Sequence, residues 1–161
     1  MAIKGKTVGG IAGAGAAAIT LAIALIQPWE GRELRAYQDI VGVWTICDGE
    51  TKGVRPGDVA TPDQCDATLA KSVRGYAAGL DACVTPSLPV KTEAALISWT
   101  YNVGVTAACG STLVKRLNAG DLVGACDQLL RWDRAGGRQV RGLTNRRNAE
   151  RSLCIDGLAL R

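Results

Sequence analysis

Histidine and phenylalanine are missing from this 161-residue chain, and the absence of histidine limits its chemistry most. Without an imidazole there is no Ser-His-Asp triad and no Cys-His pair, and hydrolytic zinc sites lose their usual ligands. Six cysteines are present, but they lie far apart along the chain and never as CxxC. We therefore expect disulfides formed in an oxidising compartment, no metal site and no cofactor.

Aromatic residues are scarce, and four tryptophans with three tyrosines leave little surface for stacking nucleic-acid bases. Arginine is instead concentrated near the C-terminus, at positions 131, 134, 138, 141, 146, 147 and 151. Such a stretch either attracts a polyanion or forms a solvated helix face crossed by salt bridges. For an exported chain an anionic cell-wall polymer is the better partner, and we expect no binding to nucleic acid.

Residues 7 to 29 carry no charge, and about 20 apolar residues suffice to cross the hydrocarbon core of a bilayer. Lys4 and Lys6 precede this segment with no balancing cluster just after it, which keeps the N-terminus on the cytoplasmic side. Glycine and alanine make up much of the segment. Its few larger aliphatic side chains, at roughly −0.3 to −0.6 kcal/mol each, therefore hold it only weakly in a membrane.

Three interpretations of this segment are open. A cleaved signal peptide fits the basic start and the small-x-small run Ala22-Ile23-Ala24. A permanent anchor fits less well, because such anchors usually carry more leucine, isoleucine and phenylalanine. An export signal that stays attached and later leaves the membrane agrees best with the glycine and alanine content.

The remaining residues, about 130 of them, suffice for one domain with a real core. From Leu34 to Asp58, glycine breaks among β-prone residues predict a small sheet. Thr61-Pro62-Asp63-Gln64 is a capping box that begins a helix running to about Asp81, and a second helix ends at Gly104. Further helices are predicted at Gly110 to Asn118, Asp121 to Trp132 and Thr144 to Cys154. A small sheet followed by helices is an α+β arrangement.

Residues with hydrolytic chemistry follow directly after the uncharged segment. Glycosidic cleavage needs one carboxylic acid to protonate the leaving oxygen and a second group to activate water or attack the anomeric carbon. Glu30, beside Trp29, is a candidate for the acid, because apolar surroundings keep a carboxylic acid protonated. Asp39 is a candidate for the base, and the hydroxyl of Thr45 for holding a water. Among fifteen acidic residues this spacing alone is a weak signal, and solvated surface roles stay open.

The order Glu, eight residues, Asp, five residues, Thr resembles the signature of the phage-type lysozymes, the muramidase endolysins that hydrolyse peptidoglycan during host lysis. The resemblance covers about residues 28 to 158. The surrounding motifs agree with it: Glu30-Gly31, Leu34-Arg35-Ala36-Tyr37, Trp44-Thr45-Ile46, Tyr101-Asn102-Val103-Gly104 and Arg146-Arg147 with Ala149-Glu150-Arg151.

This resemblance implies a two-lobed lysozyme-like fold, in which a small sheet lobe and a larger helical lobe flank a sugar-binding cleft. Glu30 would be the acid, while Asp39 and Thr45 would place a water on the opposite face of the sugar for inversion. Asn102 would line the cleft, and Arg146 would pair with Glu30. The implied substrate is the β-1,4 bond between N-acetylmuramic acid and N-acetylglucosamine in bacterial peptidoglycan, and the implied state is a monomer.

Some exported members of the family carry an uncleaved, weak signal-arrest-release helix that ends at the catalytic glutamate. By resemblance, residues 1–29 are the export and tethering segment and residues 30–161 the catalytic domain. The chain would be silent while residues 7–29 tether it to the host inner membrane, with its N-terminus cytoplasmic and its catalytic domain periplasmic. It would then become soluble in the periplasm. No cysteine precedes Cys47, so we expect control by membrane potential and not by disulfide exchange within the segment.

Relatives also imply three disulfides, Cys47–Cys65, Cys83–Cys109 and Cys126–Cys154. The chain departs from many relatives after the threonine, where Asp48 and Glu50 stand in place of histidines. That departure affects the electrostatics of the cleft and the pH optimum, and leaves the Glu, Asp and Thr intact.

Two other functions are open. A lytic transglycosylase cuts the same bond with a single acidic residue and no hydrolytic water, and the presence of Asp39 and Thr45 argues against it. A non-enzymatic membrane lysis protein would act through oligomerisation of its helix at Gly9 and Gly13.

Overall fold

The computed structural model of the protein describes residues 11 to 159, and over this range it contains a helical lobe and a small sheet region. The helices are α1 (Ile11–Ile26), α2 (Pro62–Asp81), α3 (Val90–Val103), α4 (Val105–Cys109), α5 (Thr112–Asn118), α6 (Leu122–Gln128) and α7 (Arg141–Ala159). Two antiparallel hairpins pair β1 (Glu33–Gln38) with β2 (Trp44–Cys47) and β3 (Arg134–Ala135) with β4 (Arg138–Gln139). The predicted α+β arrangement is confirmed.

Helix α3 is the centre of the helical lobe and packs against α1, α2 and α7. Its residues 94 to 100 are all buried, including Trp99, which meets Trp132 edge to face at 5.3 Å between ring centroids. Helix α7 approaches α3 closely at Gly157, where a Cβ atom would fall 2.6 Å from the backbone nitrogen of Thr92. A side chain at position 157 would therefore push the two helices apart.

The apolar helix α1 forms part of this core. Ala18, Ala22 and Ile26 are fully buried and lie one turn apart along a single stripe that faces α3. On the other side of the helix, Ala16 and Ala17 are exposed. The uncharged segment thus packs on the body of the protein from residue 15 onwards.

As a membrane span, the uncharged segment is only partly covered by the described residues. The first residues of the segment, which include Gly9, lie outside the described residues, and so do Lys4 and Lys6 before it. Within residues 11 to 159 no helix reaches the length and hydropathy needed to cross a bilayer.

The small lobe is built on the β1–β2 hairpin and has its own core. Register pairs Tyr37 with Thr45 and Gln38 with Trp44. Ile46, Cys47 and Cys65 form a buried cluster under the hairpin, and the Cys47–Cys65 disulfide joins β2 to α2. The other disulfides are Cys83–Cys109 and Cys126–Cys154, so all three pairs are those implied by the family resemblance.

The capping-box prediction for α2 is confirmed, since Thr61 Oγ1 accepts from the Gln64 N–H at 3.2 Å and Gln64 Oε1 accepts from the Thr61 N–H at 2.8 Å. The predicted end at Asp81 is confirmed as well. Gly104 also ends α3 as predicted, with a φ of 91° that favours glycine.

Three other helices were predicted with wrong boundaries. The helix expected from Gly110 begins at Thr112, because Ser111 is its N-cap and accepts from the Val114 N–H. Asp121 likewise caps α6 and lies outside it, and the following turn, Leu129–Arg131, is a 3-10 helix. The last helix is longer than the predicted Thr144 to Cys154. Helix α4 and the β3–β4 hairpin were not predicted at all.

Packing of α1 into the core has a measurable energetic consequence. Replacing the fully buried Ile26 with alanine should lower the free energy of unfolding by about 2 to 5 kcal/mol, through lost transfer energy and a residual cavity. The matched control is Ile40→Ala at a fully exposed isoleucine, which should change the stability by under about 0.5 kcal/mol. Urea unfolding of the full-length chain measures both. Equal stability of the two variants would contradict the packing of α1.

Candidate active site

A cleft of about 390 Å³ lies where the sheet region meets α2 and α3. Glu30 and Asn102 both line it. Other parts of its wall come from the end of β2 and the turn after it, from one side of α2 and from Tyr101 of α3. The residues of the first two groups are Cys47, Asp48, Gly49, Glu50, Thr51, Thr68, Leu69, Ser72 and Tyr76. The structure therefore brings two of the predicted site residues, which are far apart in sequence, to a single cavity.

Glu30 follows α1 by way of a single 3-10 turn, Gln27–Trp29, and has an extended backbone. Its carboxylate has a charged neighbour, since Arg146 Nη1 donates to Glu30 Oε1 at 3.1 Å. The side chain of Arg146 is 5% exposed and that of Glu30 is 24% exposed, so the arginine is held inside the protein and the carboxylate meets the cleft. Trp29 is 37% exposed, and the neighbour that the structure gives the Glu30 carboxylate is the charged Arg146 in place of the expected apolar surroundings.

Glu150 anchors Arg146 from the interior. Its Oε1 atom accepts from Ser98 Oγ at 2.7 Å and from Arg146 Nε at 3.2 Å. Its Oε2 atom lies 2.9 Å from Arg147 Nε, a charge contact that is out of hydrogen-bond alignment. Burial raises the pKa of the Glu150 carboxyl, while Arg147, Ser98 and Arg146 act in the opposite direction. Two adjacent arginines of α7 thus share one buried carboxylate.

Arg147 extends this buried group to the cleft. It is fully buried, and its Nη2 atom donates to Asn102 Oδ1 at 2.9 Å. Sequence reasoning identified Arg147 and Glu150 only as parts of a family motif. The available signal was that Glu150 follows Arg147 by three residues and Arg146 by four along α7, because side chains so spaced meet on one helix face.

Asp39 and Thr45 lie together on the β1–β2 hairpin and do not line the cavity that Glu30 lines. The backbone of Val43 holds both of them: its N–H donates to Asp39 Oδ1 at 2.8 Å, and its carbonyl accepts from Thr45 Oγ1 at 3.0 Å. Asp39 Oδ1 also accepts from the Val41 N–H at 3.0 Å. One carboxylate oxygen is therefore fixed by two backbone donors, and Oδ2 makes no hydrogen bond within the described part of the chain.

Arg32, which sequence reasoning missed, ties the segment after Glu30 to both sides of the small lobe. It pairs with the buried Asp48 and with Asp66 of α2, each at 2.7 Å. Asp48 also accepts on its backbone carbonyl from the Tyr101 hydroxyl at 3.2 Å. Burial, with the nearby charge of Glu30, raises the pKa of Tyr101 to about 12. An arginine two residues after a candidate acid was the only sequence signal for this link.

The two acidic residues that depart from the family pattern are both held in place. Asp48 is paired with Arg32, as above. Glu50 Oε1 accepts from the backbone N–H groups of Thr51 and Lys52 at 2.9 and 2.7 Å. Both residues line the cleft, so its wall carries two fixed carboxylates.

The arginine-rich stretch divides into two groups, so neither of its two interpretations holds for all seven side chains. Arg146 and Arg147 are buried, and Arg151 pairs with Asp127 at 2.6 Å. The exposed members are Arg131, Arg134, Arg138 and Arg141.

Comparison with known proteins agrees with this geometry. The model of the phage lysozyme family matches residues 27–150. The SAR-endolysin of Bacteriophage PS119 is 43% identical over 129 residues, which cover 80% of this chain and 77% of that protein. The active form of the P1 phage endolysin Lyz matches with a TM-score of 0.78 and 26% identity, over 96% of this chain and 98% of that one.

The secreted inactive form of the same P1 phage endolysin matches less well, with a TM-score of 0.56 and 23% identity over 88% of this chain and 95% of that one. At that identity the likeness concerns the fold alone. The family model, by contrast, begins at the turn after α1 and covers the sheet lobe, the cleft and the buried arginines. From this match and the relative at 43% identity we conclude that the chain belongs to the phage lysozyme family and is a muramidase, a glycoside hydrolase.

Proposed function

We propose that the protein is an endolysin that hydrolyses the β-1,4 bond between N-acetylmuramic acid and N-acetylglucosamine in bacterial peptidoglycan, with inversion at the anomeric carbon. The observation that carries this proposal is the position of Glu30, at the cleft and held by Arg146. The remaining chemistry follows from the atoms of Glu30, Asp39 and Thr45 that are left available.

Glu30 is the proposed general acid. Arg146 contacts Oε1, so Oε2 is the oxygen available to protonate the glycosidic oxygen of the leaving sugar. Because Arg146 is itself held by Glu150 and by the Ser98 carbonyl, the carboxyl is restrained in direction before substrate binds. Restraint of this kind gives general acid catalysis the geometry it depends on.

Asp39 and Thr45 are proposed to hold the attacking water. The Thr45 hydroxyl donates its hydrogen bond to the Val43 carbonyl, so its oxygen can accept a hydrogen bond from a water. Asp39 Oδ2 accepts the other water proton, since Oδ1 is occupied by two backbone donors. Two acceptors on its protons leave a lone pair of the water free to attack the anomeric carbon, while Asp39 takes the proton that is lost.

The acid assignment predicts a large and selective loss of activity. Glu30→Gln should lower kcat on purified peptidoglycan by about 10²- to 10⁴-fold, because the amide cannot donate the required proton. Glu33→Gln is the matched control: it neutralises an exposed glutamate three residues away on β1 and should keep nearly full activity. Release of reducing sugar ends measures both variants. Comparable rates for the two would contradict the role of Glu30.

Product chemistry separates hydrolysis from the other two functions. Inverting hydrolysis gives a product whose new reducing end is initially the α-anomer, which NMR detects before mutarotation. A lytic transglycosylase would give a 1,6-anhydro sugar, visible by mass spectrometry. Cell lysis at the normal time by exported Glu30→Gln would support the non-enzymatic alternative.

We also propose that residues 1–29 export the enzyme, tether it in a silent state to the inner membrane, and release it into the periplasm. Support comes from the composition of the segment and from the SAR-endolysin name of its relative. The stripe of Ala18, Ala22 and Ile26 adds a physical reason, because a helix buried against α3 is not available to lipid at the same time. In this scheme membrane and protein core compete for one helix.

Membrane potential is the proposed control of release. The amino terminus, Lys4 and Lys6 must cross to the outer side against an inside-negative potential, which costs about 2.3 kcal/mol per charge at 100 mV, or roughly 7 kcal/mol for three charges. Depolarising vesicles that carry the tethered enzyme should release it and start peptidoglycan cleavage. Enzyme that stays bound and inactive after depolarisation would refute this control.

Competition for α1 predicts a variant that delays release without harming the enzyme. Ala16, Ala17 and Thr20 are exposed on the folded protein, so replacing all three with leucine leaves the buried stripe intact. Each leucine should strengthen membrane retention by roughly 0.3 to 0.6 kcal/mol. The triple variant should lyse cells later than wild type, yet match its kcat once purified. Lysis at the wild-type time would show that retention does not set the timing.

A further inference from the structure

Asn102 occupies the cleft end of α3 and has a single fixed contact. Its side chain is exposed to the cleft, and its Oδ1 atom accepts from Arg147 Nη2 at 2.9 Å. Its Nδ2 group makes no hydrogen bond within the part of the chain that the structure describes. The residue therefore offers an unused donor to whatever enters the cleft.

Arg147 decides which way the amide of Asn102 faces. A guanidinium group carries donors and no acceptor, so only the oxygen of the amide can face it. Rotating the amide by half a turn would set two donors against each other. Arg147 in turn is fully buried and restrained by Glu150 at 2.9 Å. The orientation of Nδ2 is thus set from the protein interior, before any ligand arrives.

The rest of the cleft makes such a donor useful. The carboxylates of Asp48 and Glu50 present acceptors only, and the proton of Glu30 is assigned to the glycosidic oxygen. The hydroxyl groups of Tyr101 and Thr68 already donate to backbone carbonyls, of Asp48 at 3.2 Å and of Gln64 at 2.9 Å. Thr51, Ser72 and Tyr76 carry the other hydroxyls of the lining. A glycan whose every sugar carries an acetamido group brings a carbonyl oxygen that needs a donor.

We propose that Arg147 is a positioning residue that fixes Asn102 as a hydrogen-bond donor to an acetamido carbonyl of the glycan, which makes Asn102 a determinant of specificity for N-acetylated sugars. This inference rests on the proposed hydrolysis of peptidoglycan and adds the atom that recognises its N-acetyl groups.

Asn102→Asp is the decisive variant. A carboxylate keeps the contact with Arg147 and strengthens it by charge, but it can no longer donate. On soluble peptidoglycan strands we expect KM to rise about tenfold, the equivalent of one hydrogen bond, with kcat within about twofold of wild type. Asn102→Ala should raise KM by a similar factor. The melting temperature of Asn102→Asp should equal or exceed that of wild type, which separates binding from folding.

A second substrate tests the chemistry of the acceptor. On strands whose N-acetyl groups have been removed, the KM of wild type should rise about tenfold. On the same strands the KM of Asn102→Ala should not exceed that of wild type. Asn148→Asp is the matched control for added negative charge, because Asn148 is an exposed asparagine next to Arg147 that does not line the cleft. It should leave KM unchanged.

Three results would overturn the inference. The first two are a wild-type KM for Asn102→Asp and a wild-type KM for Asn102→Ala. The third is a KM of Asn102→Ala that exceeds the wild-type KM by the same factor on N-acetylated and on de-N-acetylated strands. Failure of the proposed function looks different. In that case wild type itself would release no reducing ends from the N-acetylated strands, whatever residue occupies position 102.

Discussion

The placement of the Glu30 and Asn102 side chains at the cleft depends on one buried carboxylate, that of Glu150. Glu150 contacts Arg146 and Arg147 together, and these two arginines reach Glu30 and Asn102 respectively. Taking such charges out of water is costly, and the attraction between them repays the cost only when geometry is good. Here two cations share one anion, and Glu30 at the cleft supplies the second negative charge. The ion network is therefore better understood as a device for orientation than as a source of stability.

The composition that would make α1 a weak membrane span in the proposed scheme also makes it a good core helix. Ala18 and Ala22 are small enough for the backbones of α1 and α3 to approach, and Ile26 fills the space near the end of the helix. Leucine-rich spans bind lipid more firmly, but a large side chain at position 18 or 22 would overpack this interface. Small residues on the buried stripe suit the core, and in the proposed scheme the scarcity of large residues elsewhere on the helix would keep its retention in lipid low.

Sequence alone could predict what depends on local patterns. The capping box at Thr61, the end of α3 at Gly104 and the β1–β2 hairpin follow from turn and cap chemistry between near neighbours. The link from Arg32 to Asp48 and the contact of Arg147 with Asn102 join residues 16 and 45 positions apart, and no local pattern identifies the partner in either pair. The wrong helix ends at Ser111 and Asp121 arose because a capping residue resembles a helical one in a periodic pattern.

In the proposed scheme, the short connection between α1 and Glu30 would link tethering to catalysis. Only Gln27, Pro28 and Trp29 separate the buried Ile26 from Glu30, so the four Cα-to-Cα steps between them span at most about 14 Å when fully extended. If Ile26 lay in lipid, Glu30 could not stay 3.1 Å from Arg146 unless the whole helical lobe were pressed against the membrane. Without that approach to the membrane, Arg146 would lose its contact with Glu30 and keep only Glu150. The Glu30 carboxylate would in turn lose its orientation. Packing of α1 into the core and formation of the Glu30–Arg146 contact would therefore be a single event.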